Sequence, residues 1–400
     1  MSLQSFLPSR PPRRRLGASR RAIVGATAAT ALLLTACADA EEPGGEGGGG
    51  DASALVEEMQ GLLDEYSGQP EFGEPGPAFD ATQLEGRTIA LIAIDLRVPA
   101  LTEVTDSAQD VAEQIGLQTT VFDGQGNPTL VNQGMTQAIN SGVDAIISVG
   151  LPVQIIADQI AAAAEAGIPV VDVINTPPEA GVPGQGSDPN VYGNVAPDSD
   201  LVGRLLGATA VVETDGAANV AIMNTSELTV APVLVGGMTE ILDECEDCEY
   251  TETDTALVDW STELPGQAAS VVRSNPDLNF MLPIYDAMTL FASTGVRQAG
   301  AVDQVDMASF NGTAAALDLV AEGDIAVANV AQNNDWAAWA AVDQALRGML
   351  GMDPADPVLP VRYVTTDDVQ DLDTSSQMAV NEALFGTEYR DGYLALWGLA

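Results

Sequence analysis

The chain has 400 residues, 14 of them basic and 58 acidic, with no histidine, and every basic residue is an arginine. Without histidine the commonest metal ligand and the usual general base near neutral pH are missing, which excludes most hydrolase triads and zinc sites. So large an acidic excess repels nucleic acid and gives no support to electrostatic membrane binding. It reads as solvated surface and says little about a ligand.

In chain order, Arg10, Arg13, Arg14, Arg15, Arg20 and Arg21 precede an apolar run over 22–34 that ends in Leu34-Thr35-Ala36-Cys37. A basic segment, a short apolar run and a Leu-x-Ala-Cys box are the pattern of a lipoprotein signal peptide, here 1–36, with Cys37 as the lipidated mature N-terminus. The run is well short of the roughly 20 apolar residues that span a bilayer. Removing the leader leaves eight basic residues against 58 acidic ones, a formal charge of −50.

Residues 37–86 read as the lipidated cysteine, a tether, a short helix and a linker. The acidic, glycine-rich stretch 38–50 lacks the apolar surface that would offset the entropy of ordering it. Leu55, Met59, Leu62 and Leu63 fall at helical spacing within 52–66, and 68–78 is rich in glycine and proline. What remains is long enough for two domains with cores of their own.

The folded body is expected from Arg87, where the continuous apolar run 88–94 suits a strand buried on both faces. Helices over 102–115, 132–141 and 152–166 then alternate with strands over 118–122, 145–149 and 169–173. The pattern restarts after Asn194: helices over 200–212, 231–243, 265–275 and 288–299, strands over 219–223, 249–253, 278–282 and 305–310. This is α/β alternation, and it predicts two doubly wound, Rossmann-like lobes, each a parallel sheet between helices. In such sheets the ligand crevice forms at the carboxyl ends of the strands. No G-x-G-x-x-G follows a strand, and a phosphate-binding loop would need a lysine, so nucleotide chemistry is disfavoured and no cofactor is expected. No repeat of 20 to 50 residues points to a solenoid or propeller.

Cys245 and Cys248 stand among acids. Outside the cytoplasm a disulfide is the default. A redox pair would need a helix N-terminus or a cation to lower the thiol pKa, whereas acids raise it, and a zinc site would need two further ligands. The disulfide leads these three readings, and no metal is expected.

The first lobe carries the phrases Asp95-Leu96-Arg97-Val98-Pro99, Ala138-Ile139-Asn140-Ser141-Gly142-Val143-Asp144-Ala145-Ile146-Ile147 and Ala166-Gly167-Ile168-Pro169-Val170-Val171. The second adds Tyr285-Asp286-Ala287-Met288, Gln298-Ala299-Gly300, Ser309-Phe310-Asn311-Gly312-Thr313 and Val330-Ala331-Gln332. In this order and spacing they resemble the type I periplasmic binding proteins of the ribose and galactose class, over roughly 87–371. The resemblance implies three crossings between lobes, near Val195, Gln332 and Val361. The first lobe would then hold 87–195 plus about 333–360, and the second 196–332 plus about 361–372, with closure about a three-segment hinge. A helix over 334–351 would return to the first lobe, its Trp336 and Trp339 read as core packing. The tail 373–400, with Tyr389, Tyr393 and Trp397, would pack on the body.

The resemblance also implies a set of ligand-binding positions. Asn311 stands where the family usually has an aspartate, Gln332 at the polar hinge position that contacts ligand, and Tyr285 where an asparagine is typical. Asp286 stands at the position that supports the loop, and Trp260 near the aromatic that stacks on a sugar face. Arg97 and Pro99 lie in the first strand-end loop, followed by Ala100 and Leu101 where other members place aromatics. Two departures stand out. Ile174-Asn175 replaces the Asp-Arg pair that grips sugar hydroxyls, and 229–237 lacks the expected arginine. Charged pairs supply the bidentate hydrogen bonds of hexose recognition, so Asn175 and its neighbours suggest a pocket more apolar or more amide-like than a sugar site.

The function this implies is an extracytoplasmic solute-binding lipoprotein that catalyses nothing. It delivers a sugar or a less polar solute to an ABC import permease, as a monomer that touches the membrane only through its anchor. Two rivals stand beside it. One is a receptor feeding a membrane sensor, and the other a secreted glycosidase using two carboxylates.

Overall fold

The computed structural model describes residues 49–174, 176, 188–357 and 359–400. The leader, Cys37 and Asn175 lie outside the described residues. Helix α1 (Gly49–Glu65) comes first. The first lobe follows with β1 (Thr88–Ala93), α2 (Pro99–Gln114), β2 (Gln118–Asp123), α3 (Pro128–Ser141), β3 (Ala145–Val149), α4 (Ala157–Glu165), β4 (Val170–Val173) and β5 (Gly193–Val195). Its sheet is parallel in the order β2-β1-β3-β4-β5. Burial explains the strand sequences. Central β3, AIISV, is buried at every residue, whereas edge strand β2, QTTVFD, has no buried residue and is mostly polar, as suits an edge.

The second lobe holds α5 (Ser199–Glu213), β6 (Asn219–Asn224), α6 (Ala231–Asp243), β7 (Glu249–Asp254), α7 (Trp260–Ser274), β8 (Phe280–Pro283), α8 (Asp286–Ala299), β9 (Asp306–Asn311), α9 (Ala314–Glu322) and β10 (Ala326–Gln332). After β10 the chain forms α10 (Asn334–Met349), which packs on α2, β3, β4 and β5, and then β11 (Val361–Thr365). Strand β11 joins the second sheet antiparallel to β10, giving the order β11-β10-β9-β8-β6-β7. The chain thus leaves the first lobe after Val195, returns to it as α10 after Gln332 and enters the second sheet again at Val361. These are the three crossings of the type I two-lobed fold.

Several helices start earlier than periodicity suggests. α2 and α3 begin at Pro99 and Pro128, where the missing N–H would have had no intrahelical partner. α7 begins at Trp260 and runs through Pro265 instead of starting there. The expected helix over 152–166 is two pieces, a 3-10 turn Val153–Ile155 and α4.

The stretch read as a helix and linker is folded onto the body. Met59 and Leu63 of α1 are buried in the second-lobe core, while Phe72 and Phe79 pack against the first-lobe core. After β11 come α11 (Thr366–Val369), α12 (Gln377–Phe385) and α13 (Glu388–Leu396). Phe385, Tyr389, Tyr393 and Trp397 are buried with the first lobe, Tyr389 stacked on Trp336 at 4.6 Å and Trp397 on Trp339 at 5.4 Å. Cys245 and Cys248 are joined by a disulfide at the turn between α6 and β7. Among the described residues no helix is long and apolar enough to cross a membrane, and no group of three or more acids or cysteines could hold a metal ion.

Candidate functional site

A cavity of about 260 Å³ opens between the lobes. The first lobe contributes Ile94, Gly150 and Ile174, each the residue just past a strand (β1, β3 and β4), together with Val98 to Leu101 at the start of α2. The second lobe contributes Leu228, Leu257, Trp260, Tyr285, Ala287, Leu290, Asn311 and Thr313 to Ala315, and α12 adds Gln377. Both sheets therefore point their carboxyl edges at one space, the place where open α/β sheets bind ligands.

The backbone is constrained where it meets the cavity. Ile174 sits at φ 64° and Asn311 at φ 133°, regions that a β-branched side chain and a non-glycine residue respectively avoid. Gly150 takes φ 68°, and a Cβ there would lie 2.8 Å from the Leu101 side chain. Strain of this kind persists only where its surroundings fix it.

Asp286 does much of that fixing for Asn311. Its carboxylate is buried and accepts from Ser309 Oγ at 2.7 Å, Asn329 Nδ2 at 2.6 Å, and both the backbone N and Oγ1 of Thr313 at 2.6 and 2.9 Å. Burial pushes its pKa up to about 6, against the four hydrogen bonds that favour the charged form. From the other side Gln377 donates Nε2 to the Gly312 carbonyl at 2.8 Å and accepts from Ala314 N at 2.7 Å. The loop from Asn311 to Ala314 is clamped by one residue ahead of it in sequence and by one well beyond it.

The aromatic wall is built from Trp260 and Tyr285, 6.3 Å apart between ring centroids, with buried Phe310 behind, 6.1 Å from Tyr285. Trp260 is oriented by its indole, whose Nε1 donates to Thr225 Oγ1 at 2.8 Å, and that hydroxyl donates on to the Thr255 carbonyl. Burial raises the Tyr285 pKa, so its hydroxyl stays protonated at any physiological pH. Neither the Tyr285 hydroxyl nor the Asn311 amide has a hydrogen-bond partner among the described residues.

Of the positions singled out from sequence, the fold brings Pro99, Trp260, Tyr285 and Asn311 together on the cavity. Asp286, Gln332 and Arg97 do not line it. Asp286 lies behind the loop with its oxygens occupied. Gln332 is buried at the end of β10, its Nε2 on Asn334 Oδ1 at 2.7 Å and its Oε1 without a partner among the described residues. Arg97 turns away, paired to Asp95 with its side chain 70% exposed. Sequence reasoning missed Gln377, Leu228, Leu257 and Leu290. The leucines carry the same apolar signal as core residues, and Gln377 reaches the cavity only because α12 folds back.

Comparison with known proteins agrees with this geometry. The family described as periplasmic binding protein domain matches residues 89–351, from β1 through α10. Curated proteins gave no match. Among solved structures, a 5-methylthioribose transporter solute-binding protein from Thermotoga lettingae superposes with a TM-score of 0.68 at 18% identity, covering 78% of this chain and 99% of its own. An ABC transporter solute-binding protein from Bacillus halodurans, with bound myo-inositol, gives 0.64 at 23% identity, covering 72% and 97%. A third, from Mycobacterium smegmatis with bound glycerol, gives 0.65 at 20%, covering 73% and 98%. At these identities the likeness to solved structures speaks for the fold. With the family match spanning both sheets and the cavity set between their carboxyl edges, the chain belongs to the periplasmic binding protein family, in its type I two-lobed form.

Proposed function

We propose that the chain is an extracytoplasmic lipoprotein that captures one small uncharged solute between its lobes and delivers it to an ABC import permease. The observation that carries this reading is the cavity itself, whose walls come from both lobes and, among the described residues, contain no charged side chain. A solute touching both walls favours the closed arrangement by its differential affinity, and moving the population from 1:99 to 99:1 takes about 5.5 kcal/mol of it. The closed form is the one the permease reads. Anchoring rests on the basic leader, the short apolar run and the Leu-x-Ala-Cys box at Cys37. The solutes named for the three structural relatives, all small and uncharged, agree with the ligand class.

Small-angle scattering tests closure: saturating ligand should reduce the radius of gyration of the mature chain. Unchanged scattering on binding removes the hinge mechanism. Cys37→Ala should move the chain from the membrane to the soluble fraction. Retention at the membrane removes the lipid anchor from the proposal.

A further inference from the structure

The polar groups of the cavity can be followed one at a time, and most already have partners. Thr313 gives its hydroxyl to Asp286, and Gln377 has both ends of its amide on the backbone of the adjoining loop. The Trp260 indole N–H is held by Thr225. Among the described side chains, what remains unclaimed is the Asn311 amide, one donor and one acceptor group, and the Tyr285 hydroxyl. The other described side chains of the wall are hydrocarbon, including Leu101, Leu228, Leu257 and Leu290.

Resting on the reading of the chain as a solute receptor, we propose that its solute has a predominantly apolar body and a single hydrogen-bonding edge, a hydroxyl or an amide, and that free polyols and hexoses are excluded. A polyol carries a hydroxyl on every carbon. Each one buried against leucine without a partner weakens binding about tenfold or more, and the two unclaimed side chains among the described residues cannot serve them all. An alcohol or amide with one polar edge leaves nothing unsatisfied. Asn311 pairs with that edge, its backbone strained and clamped so that the amide is fixed before ligand arrives, while the apolar body fills the space against Trp260 and the leucines. The space, about 260 Å³, is at the small end of ligand sites.

The test uses the mature chain and ligands matched in shape but not in polarity: cyclohexanol against myo-inositol, and benzamide against D-allose, by titration calorimetry. The expected result is at least tenfold tighter binding of the apolar member of each pair. Leu290→Asp, which puts an acceptor into the apolar wall, should weaken cyclohexanol tenfold or more, with circular dichroism confirming that the variant folds. Equal or tighter binding of myo-inositol or D-allose overturns the ligand class, as does failure of all four to bind at tens of millimolar. Either outcome leaves the receptor reading standing, because that falls only if a bound ligand of any polarity fails to compact the chain in scattering.

Discussion

Arg362 donates Nε to the Ser67 carbonyl at 2.8 Å, and its Nη1 reaches the Leu384 carbonyl at the same distance. Arg362 is the second residue of β11, on the third crossing. Ser67 lies where the chain leaves α1 on the second lobe for the first, and Leu384 lies in α12, which the chain reaches by a similar passage. The Tyr363 N–H adds a bond to the Tyr66 carbonyl at 2.8 Å. One guanidinium therefore joins the N-terminal and C-terminal passages to the hinge, which makes five chain segments between the lobes where the family resemblance implies three.

Replacing Arg362 by alanine strips the donor from two carbonyls in a site where the side chain is 16% exposed. Hydrogen bonds to a charged group contribute about 1.5–3 kcal/mol, so the variant should lose roughly 3 kcal/mol in urea denaturation. Arg362→Lys should recover only part of this, because an ammonium cannot span the fork that a guanidinium does. A loss below about 0.5 kcal/mol for the alanine variant would show that the two passages are held by packing alone.

Glu103 of α2 accepts from Asn334 Nδ2 at 2.7 Å and from Asn381 Nδ2 of α12, so it touches both the second crossing and the C-terminal segment. Desolvation pushes its pKa up to about 7, helped by the nearby Asp335 and opposed by the two amides. The folded state then binds this proton more tightly than the unfolded state. Stability falls as pH rises from the ordinary carboxylate range to about 7 and levels off above it. Buried Asp172 and Asp286, both pushed up to about 6, act in the same direction. The protein should be more stable at pH 5 than at pH 8, and Glu103→Gln should remove a part of that slope on the order of 2 kcal/mol. A wild-type curve that rises from pH 5 to pH 8 contradicts this.

Much of the lobe architecture is legible in the sequence because buried parallel strands are nearly continuous apolar runs, such as 88–94 and 145–149, bounded by turn residues. The crossings near Val195, Gln332 and Val361 were legible from the order of phrases the chain shares with its family. The site was legible in part. Trp260, Tyr285 and Asn311 stand at strand ends or helix starts, where position alone suggests a role. Asp286 and Gln332 are polar residues at the same ends, yet their side chains turn inward, Asp286 to hold the loop at Thr313 and Gln332 onto the Asn334 amide, and no local pattern separates an acid that binds ligand from one that anchors a loop. The docking of α1 and α12 was not legible, since an amphipathic helix shows that it packs without showing where.

Asn311 at φ 133° couples binding and stability with opposite signs. Glycine adopts that backbone without strain, and relief of about 1–3 kcal/mol outweighs the roughly 0.5–1 kcal/mol entropic cost of glycine. Asn311→Gly should therefore stabilise the unliganded chain by about 1 kcal/mol while weakening ligand binding about tenfold through the lost amide. Trp260→Ala should weaken binding at least as much and also destabilise the fold, because its ring is 5% exposed and tied to Thr225. Thermal melts with and without ligand separate the two effects. An Asn311→Gly variant that binds normally would remove the amide from ligand recognition.

Arg347 and Asp343 form an ion pair at 2.7 Å within α10, both side chains 1% exposed. The acid also accepts from Trp397 Nε1 at 2.8 Å, and the guanidinium donates to the Pro77 carbonyl at 2.9 Å and lies over the Phe79 ring. The pair thus fastens both chain ends onto the first lobe. Breaking it by Asp343→Ala leaves a buried cation alone and should cost about 3–5 kcal/mol, whereas a double replacement by apolar residues, Asp343→Leu with Arg347→Met, removes both charges and should recover most of that. The two free energies from urea denaturation form the comparison. If the double variant is as unstable as the single one, the pair acts by holding Trp397 and Pro77 in place, and its charge balance is secondary.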